Sequence, residues 1–220
     1  MSARTSAASE RVFTAKGLAT RARIVAAAAE LVFDIGVAAT AVEDVQKKAG
    51  VSGSQLYHYF TDKQHLMQAV AEYQARLALD LQAPLGPLDS VKALESWAEF
   101  QITAQKRRAF VGGCKVGSLV PQMAEADPVA RAELGKGFEA WEKTLIDGLR
   151  AMRERGDLTA RADPEKLGLA LMAALQGGLL LSQAQRSITP LECALRTVLD
   201  HIRLLATPPP ETTPRNRRKP

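Results

Sequence analysis

The sequence predicts an all-α protein of about nine helices, with a three-helix N-terminal head and a larger C-terminal helical body. Two observations carry this prediction. Apolar residues recur at three- and four-residue steps along most of the chain, and helix-capping side chains precede many of these stretches. No run of strand-like alternation competes with them. Because 46% of the 220 residues are hydrophobic, the chain can form a sizeable core.

The predicted head begins with a helix over residues 20–35, where Ile24, Leu31 and Val32 belong to one apolar stripe that stops at Gly36. Three capping boxes then predict helices over 41–48, 53–60 and 62–81, since in each a hydroxyl and a later Glu or Gln cap one helix start. The boxes are Thr40-x-x-Glu43, Ser52-x-x-Gln55 and Thr61-x-x-Gln64.

The body is predicted from three capping residues that each precede a proline, a residue tolerated at the first helical position. Asp127-Pro128, Asp163-Pro164 and Thr189-Pro190 predict helices over 128–155, 164–186 and 190–206. Two further helices are predicted over 89–108 and 116–125. The resulting domain prediction is a flexible arm over 1–16, a helix-turn-helix domain over 17–65, a body over 66–206 and a disordered basic tail over 207–220.

The net charge of +5 is concentrated at the two ends of the chain. Such ends favour a polyanionic partner, although solvated tails explain them equally well. Two cysteines without a CxxC pattern, together with a polar N-terminus, predict a cytoplasmic protein without a membrane partner. The three histidines, His58, His65 and His201, do not suggest a metal site, and no cofactor or catalytic motif is recognised.

The helices predicted over 41–48 and 53–60 enclose a four-residue turn that contains Gly50, which is typical of a helix-turn-helix. With Leu56 and Phe60 directed inward, the polar side chains Ser54, Gln55, Tyr57 and His58 face outward. Gln55 has two interpretations: it pairs with an adenine edge in the major groove, or it only closes the capping box. Gly53 allows a phosphate to approach the helix start, and Lys63 is either a phosphate contact or an ordinary surface lysine.

These residues resemble the DNA-binding head of the TetR family of bacterial regulators. The resemblance is carried by Thr20, Ile24, Ala27-Ala28, Leu31-Val32-Phe33, Gly36, Thr40, Val42, Asp44-Val45, Ala49-Gly50-Val51-Ser52, Leu56-Tyr57-His58-Tyr59-Phe60, Lys63 and Leu66. It implies a homodimer that binds double-stranded operator DNA and carries an effector pocket in its body. By position, the resemblance implies DNA contacts at Thr40, Ser52, Gly53, Ser54, Gln55, Tyr57, His58, Tyr59 and Lys63, with packing beside Leu56 as the alternative for Tyr59.

Two predicted helices of the body carry apolar seams spaced four, three, four and three residues apart, which predict a four-helix dimer interface or a core within one chain. The seam residues are Leu167, Leu171, Ala174, Gly178 and Leu181, and Leu191, Leu195, Val198, Ile202 and Leu205. The larger aromatics predict either core or an apolar effector pocket, which would take a flat or greasy molecule. The predicted pocket residues are Trp97, Phe100, Gln101, Leu119, Met123, Phe138, Trp141, Met172 and Gln176.

The function predicted from these features is a homodimeric transcriptional regulator, a repressor of a near-palindromic operator, released by a small apolar or aromatic effector. The helix predicted over 62–81 joins head to pocket and is expected to transmit the signal. Two alternatives remain: an adaptor that no longer reads DNA sequence, and a small helical enzyme that uses the pocket. Cys114 has two interpretations, a reactive thiol or an inert one.

Overall fold

The computed structural model of the protein describes residues 13–207. These residues form nine α-helices, two short 3₁₀ helices and one isolated β-bridge between Leu158 and Ala206. The predicted all-α class is confirmed. The helices are α1 (Ala15–Ala39), α2 (Val42–Ala49), α3 (Gly53–Tyr59), α4 (Lys63–Asp80), α5 (Val91–Arg107), α6 (Val120–Met123), α7 (Pro128–Glu154), α8 (Pro164–Gln185) and α9 (Thr189–Leu205).

The helix predicted over 116–125 is shorter than expected. A 3₁₀ helix over Gly117–Leu119 leads into the four-residue α6. Pro121 explains the shortening, because its missing N–H cannot complete the α-helical hydrogen bond to the preceding turn.

The first helix begins earlier than predicted. Thr14 caps α1 by accepting a hydrogen bond from the Gly17 N–H, so the end of the predicted arm over 1–16 is ordered structure. At the other end, Gly36 has a φ of +84°, which interrupts the helix where the sequence predicts its stop. The remainder of the predicted arm, residues 1–12, and residues 208–220 of the predicted tail lie outside the described residues. The first tail residue, Thr207, donates its N–H to the Asp157 carbonyl at 2.9 Å.

One of the three predicted capping boxes is present as expected and two are wrong. Ser52 and Gln55 form the complete box at α3. The Thr40 box fails because Thr40 ends α1 instead, and its hydroxyl donates to the Gly36 carbonyl at 2.7 Å. The Thr61 box fails because the adjacent Asp62 accepts from the His65 N–H at 2.7 Å and caps α4.

Of the three caps predicted before a proline, two are present and one is wrong. Asp127 and Asp163 cap α7 and α8 through their carboxylates, as predicted. Thr189 does not cap α9, since the helix already begins at Thr189 and the preceding Ile188 makes no side-chain cap. The Ser187 hydroxyl instead accepts from the Thr189 N–H at 3.2 Å.

The apolar core has two parts, and the first does not stop at the predicted boundary between residues 65 and 66. Buried residues of α1 to α4 pack against buried residues of the body, which are Val116, Leu119, Met123, Ala130 and Leu134. The second part lies among α5, α7, α8 and α9. The head is therefore fastened to α4, α6 and α7 by shared core.

The seams predicted as a dimer interface are mostly core within the chain, which corrects that prediction for their buried members. Helices α8 and α9 pack against each other, and Leu171, Leu191, Leu195 and Ile202 are fully buried there. Leu167 and Gly178 are also buried, Ala174, Val198 and Leu205 are partly buried, and Leu181 is half exposed. Because α8 and α9 are joined by a short turn, their heptad-spaced apolar residues pack against each other within one chain. The spacing therefore does not identify the surface that a partner chain would cover.

The exposed apolar residues of α8 lie on its other face. Leu169, Leu180 and Leu181 are 56%, 66% and 49% exposed, and Leu204 of α9 is 83% exposed. Helix α8 is also long and apolar enough to cross a membrane by length and composition, with 44% of its apolar window buried in the fold. Its packing against α7 and α9 is that of a helix belonging to a protein core.

Candidate nucleic-acid interface and effector cavity

Helices α2 and α3 form a helix-turn-helix whose turn depends on glycine. Gly50 has a φ of +63°, a left-handed conformation that residues with a Cβ rarely adopt, and its N–H caps α2. The Arg23 side chain of α1 donates to the Ala49 carbonyl at 2.9 Å and holds the turn against the first helix. Leu56 and Phe60 are completely buried, which fixes the orientation of α3.

The outward face of α3 is polar and accessible. Ser54, Gln55 and His58 are exposed, and the Tyr57 side chain is 53% exposed. Ser52 caps the helix, while the Gln55 side-chain oxygen accepts from the Ser52 N–H at 2.9 Å. Gln55 therefore occupies its capping role in the DNA-free protein, and its amide nitrogen has no hydrogen bond within the described chain.

Three further residues expected to contact DNA are also engaged by the protein. Thr40 is 1% exposed, so its predicted DNA contact is contradicted by burial. Tyr59 lies partly buried with its ring 5.1 Å from that of Phe13, which supports packing over free exposure. The Lys63 ammonium donates to the Ala38 carbonyl at 3.3 Å, at the end of α1.

Gly53 lies at the start of α3 without a steric requirement for glycine. A Cβ placed there would have its nearest neighbour at 3.6 Å, an ordinary contact with the Gln46 side chain. The fold therefore leaves room at this helix start for another group to approach its N–H donors.

The body contains a cavity of about 280 Å³ between the end of α4, α5, α7 and the loop that follows α5. Most of its wall is apolar. The lining residues are Gln74, Leu77, Ala78, Leu81, Gln82, Phe100, Gln101, Ala104, Arg108, Gly113, Cys114, Lys115, Val116, Trp141 and Leu179.

Three predicted pocket residues, Phe100, Gln101 and Trp141, line this cavity. The other six do not, which corrects their assignment to it. Trp97, Leu119 and Met172 are core residues, and Phe138 packs partly buried against both cores. Met123 borders a separate, more open gap between head and body. Gln176 has an internal partner, since its amide nitrogen lies 3.7 Å from the Met172 sulfur. The sequence did not indicate that α4 and residues 108–116 line the cavity. Helix periodicity does not tell which face of α4 meets a cavity, and the path of a loop leaves no periodic signal.

A buried hydrogen-bond cluster joins one end of the cavity to the core. The Gln82 side-chain oxygen accepts from the Trp97 indole at 2.6 Å, the Trp141 indole at 2.9 Å and the Gln101 amide at 3.0 Å. Gln82 itself donates to the Ala78 carbonyl at 2.6 Å. One acceptor atom thus satisfies three side-chain donors from α5 and α7 and fixes the aromatic wall of the cavity.

The loop that lines the cavity also reaches the head. The Lys115 ammonium lies 5.0 Å from the centre of the Phe33 ring on α1. The Val37 N–H donates to the Gln122 side chain at 2.8 Å. Movement of residues 113–122 would therefore displace groups that contact the C-terminal part of α1 as well as α4.

A polar contact links α4 to the start of α7. The Gln68 amide lies 3.1 Å from the Asp127 carboxylate, which also accepts the N–H groups of Val129 and Ala130. Burial raises the pKa of Asp127, but the hydrogen bonds from Ala130, Gln68, Gln64 and Val129 together lower it below its usual value. The carboxylate therefore stays ionised at neutral pH and holds the two helices together.

A helix-turn-helix with an accessible second helix, carried on an all-α body with a cavity, is typical of DNA-binding transcriptional regulators. Residues 24–70 match the family model described as bacterial regulatory proteins, tetR family. Residues 90–197 match the model described as transcriptional regulator LmrA/YxaF-like, C-terminal domain. The chain belongs to the TetR family of bacterial transcriptional regulators.

The chain is similar to the transcriptional regulator AcuR of Cereibacter sphaeroides, at 29% identity over 185 residues that cover 81% of this chain and 83% of AcuR. It is 24% identical to the transcriptional repressor DhaR of a Mycobacterium species, covering 82% and 90% of the two chains. A TetR regulatory protein of Rhodobacter sphaeroides has a TM-score of 0.72 at 25% identity, covering 83% and 98%. Escherichia coli NemR in its reduced form shares the fold, with a TM-score of 0.76 at 22% identity, covering 87% and 100%. The matched families and relatives are transcriptional regulators rather than enzymes.

Proposed function

We propose that the protein is a cytoplasmic, homodimeric repressor that binds a near-palindromic operator and is released when a small molecule enters the cavity beside α4. The observation that carries this proposal is the accessible polar face of α3, held outward by the burial of Leu56 and Phe60. Two copies of α3, set about one DNA turn apart, require two inverted half-sites.

The proposed DNA contacts fall into two kinds. Gln55 reads a base edge, after its side chain leaves the capping box. Ser52, Ser54, Tyr57 and His58, with the open helix start at Gly53, contact phosphates and set the position of α3 in the groove. Lys63 exchanges its bond to the end of α1 for a phosphate. Tyr59 contributes by supporting His58, since their ring centres lie 5.0 Å apart.

Replacing Gln55 by glutamate is expected to separate its two roles. Glutamate keeps the capping box and suits the first turn of a helix, so the melting temperature stays within about 2 °C of the wild type. It cannot donate to adenine, so the preference for operator over random DNA falls about tenfold or more. Circular dichroism measures the first quantity, and fluorescence anisotropy with both duplexes measures the second.

The ratio between the two duplexes is the decisive readout for Gln55→Glu. The added negative charge alone would weaken operator and random DNA by the same factor. An unchanged ratio would therefore show that Gln55 caps the helix and reads no base.

The proposed signal passes along α4, whose N-terminal part packs in the head and whose C-terminal part lines the cavity. A ligand releases the protein from DNA only if it binds the conformation in which the two heads do not fit the operator more tightly than the conformation in which they do. Helix α7 forms the other side of this path. At Gly137 of α7, an added Cβ would lie 2.4 Å from the Cβ of Ala75 on α4.

Replacing Gly137 by alanine is expected to change the ligand response more than the affinity for operator. Forcing α4 away from α7 should shift the concentration for half release about two- to thirtyfold, the range typical of changes along a coupling path. The ligand is a compound recovered by a thermal-shift screen of small aromatic and aliphatic molecules. Gly135→Ala is the matched control, because a Cβ there has no neighbour within 4 Å. Equal loss of operator affinity and ligand response in Gly137→Ala would contradict the coupling role.

A duplex that carries the DNA upstream of the protein's own gene tests the proposal as a whole. A repressor of this kind binds it about a thousandfold or more tighter than random DNA, and its affinity falls steeply as salt rises. Footprinting then locates two inverted half-sites. An adaptor that no longer reads DNA would show no difference between the duplexes.

A further inference from the structure

The cavity is lined by an arginine, Arg108, that has no counter-ion among residues 13–207. Arg108 follows the last turn of α5, is half-buried and lines the cavity. One of its terminal nitrogens donates to the Gln105 side-chain oxygen at 2.8 Å. Its Nε is fully buried and has no hydrogen-bond partner, and neither has the amide nitrogen of Gln105.

No carboxylate compensates this charge within the described part of the chain. The cavity lining contains no Asp or Glu, and no ion pair involving Arg108 is formed among residues 13–207. Burial lowers the pKa of Arg108. Arginine nevertheless stays protonated in proteins, so the cavity holds a cation that has lost part of its hydration.

The two residues that follow Arg108 have an unusual backbone conformation. Ala109 and Phe110 have φ angles of +48° and +64°, which are unfavourable for residues with a Cβ. The Arg186 guanidinium stabilises the turn by donating to the Phe110 carbonyl at 2.9 Å. Strained backbone of this kind is concentrated at active sites and ligand-binding sites.

The other polar groups of the cavity are uncharged or already engaged. Lys115 lies against the Phe33 ring on α1. Gln74 is 4% exposed, and its side-chain amide has no hydrogen-bond partner within the described chain. The cavity lining therefore combines the half-buried Arg108, one unpaired amide and walls formed by Leu77, Phe100 and Leu179, while the second cation, Lys115, is turned to the Phe33 ring.

We propose that the ligand of this cavity is a small organic monocarboxylate whose carboxylate pairs with Arg108 and whose apolar body lies against Leu77, Phe100 and Leu179. This inference rests on the proposed function, which it deepens by naming the chemical class of the effector. A planar guanidinium presents parallel N–H donors that match the two oxygens of a carboxylate. A ligand of that class adds the anion that the protein lacks and leaves the apolar wall covered.

The apolar walls favour an organic carboxylate over an inorganic anion. Phosphate and sulfate would fill only the end of the cavity near Arg108 and would leave the apolar remainder hydrated. A cavity of about 280 Å³ is at the small end of ligand sites, so the body of the ligand is a short aliphatic chain or one aromatic ring.

The test compares carboxylates with their uncharged amides on the full-length protein, without DNA. The probes are benzoate and hexanoate, against benzamide and hexanamide, with binding followed by calorimetry and by thermal shift. The wild type should bind at least one carboxylate about tenfold or more tightly than its amide. Arg108→Gln should abolish that preference, whereas Arg107→Gln should retain it, because Arg107 is the exposed neighbour on the same helix.

Each contrary result overturns the proposal. It fails if neither carboxylate binds, if the amides bind equally well, or if Arg108→Gln keeps the preference. It also fails if sodium sulfate or phosphate at matched ionic strength stabilises the wild type as much as the carboxylates do. A lower melting temperature for ligand-free Arg108→Gln, together with equal binding of carboxylates and amides by the wild type, would show that the guanidinium serves the fold alone. Since none of these measurements contains DNA, a failure of operator binding is seen separately in the duplex experiment.

Discussion

Replacing Leu180 by glutamate is expected to convert the protein into a monomer and to lower its operator affinity about 100-fold or more. Leu180 is 66% exposed in the single chain and lies on α8 near the other exposed leucines, Leu169 and Leu181. If this face meets its copy, a glutamate from each protomer is buried without a counter-ion, which is strongly unfavourable. Each half-site is then bound by an independent head, and the gain from tethering two heads is lost.

Sedimentation velocity at micromolar concentration measures the oligomeric state, and anisotropy with the operator duplex measures affinity. Val129→Glu is the control, since Val129 is 54% exposed in the first turn of α7, where an acidic residue is favourable. A Leu180→Glu variant that stays dimeric would show that the dimer uses another surface. A variant that is monomeric but retains full affinity would contradict the need for two heads.

Replacing Gln82 by leucine is expected to lower the free energy of unfolding by about 3 kcal/mol or more, because three donors lose their shared acceptor and an unsatisfied buried donor costs about 1–3 kcal/mol. The donors are the indoles of Trp97 and Trp141 and the amide of Gln101. For a chain of this size such a loss corresponds to a fall of about 6–12 °C in melting temperature.

Thermal and urea unfolding followed by circular dichroism measure the effect of Gln82→Leu. Gln185→Leu is the matched control, because Gln185 is exposed and makes no hydrogen bond with its side chain in the described chain, so the change stays within about 0.5 kcal/mol. Equal stability of the two variants would show that water or ligand, and not Gln82, satisfies the indoles.

The predictions that succeeded from the sequence are those that depend on neighbouring residues. Helix periodicity, the Ser52 and Gln55 box and the aspartate caps at Asp127 and Asp163 are all present. The interior positions of Leu56 and Phe60 follow from their spacing alone. Such features require contacts over only a few residues, so the local sequence is sufficient to specify them.

The predictions that failed concern positions where the local sequence allows two capping residues, or two packing surfaces, equally well. Thr40 had the right residue type for a helix cap, but Thr40 became the end of the preceding helix. Asp62 competed with Thr61 for the start of α4 and formed the cap. The spacing of the seam residues Leu171 and Leu195 suits packing against a partner chain as well as against a neighbouring helix. In the structure both are buried between α8 and α9, which are joined by a short connection.

The cavity shows the same limit more strongly. Gln74 and Gln82 come from one part of the chain and Arg108 from another, and no spacing in the sequence relates them. An arginine at the end of a helix is usually solvated, and nothing local distinguishes Arg108 from the exposed Arg107.

The amino-acid sequence by itself determined that this chain is helical, that it carries a helix-turn-helix and which polar side chains α3 exposes. These are consequences of periodicity and capping within single elements. Only the tertiary structure decided which apolar faces are buried inside the chain and where the cavity lies. It also decided that Arg108 lines this cavity without a counter-ion among residues 13–207. The physical reason is that burial and charge compensation depend on groups far apart in the chain, which become neighbours only when the helices pack.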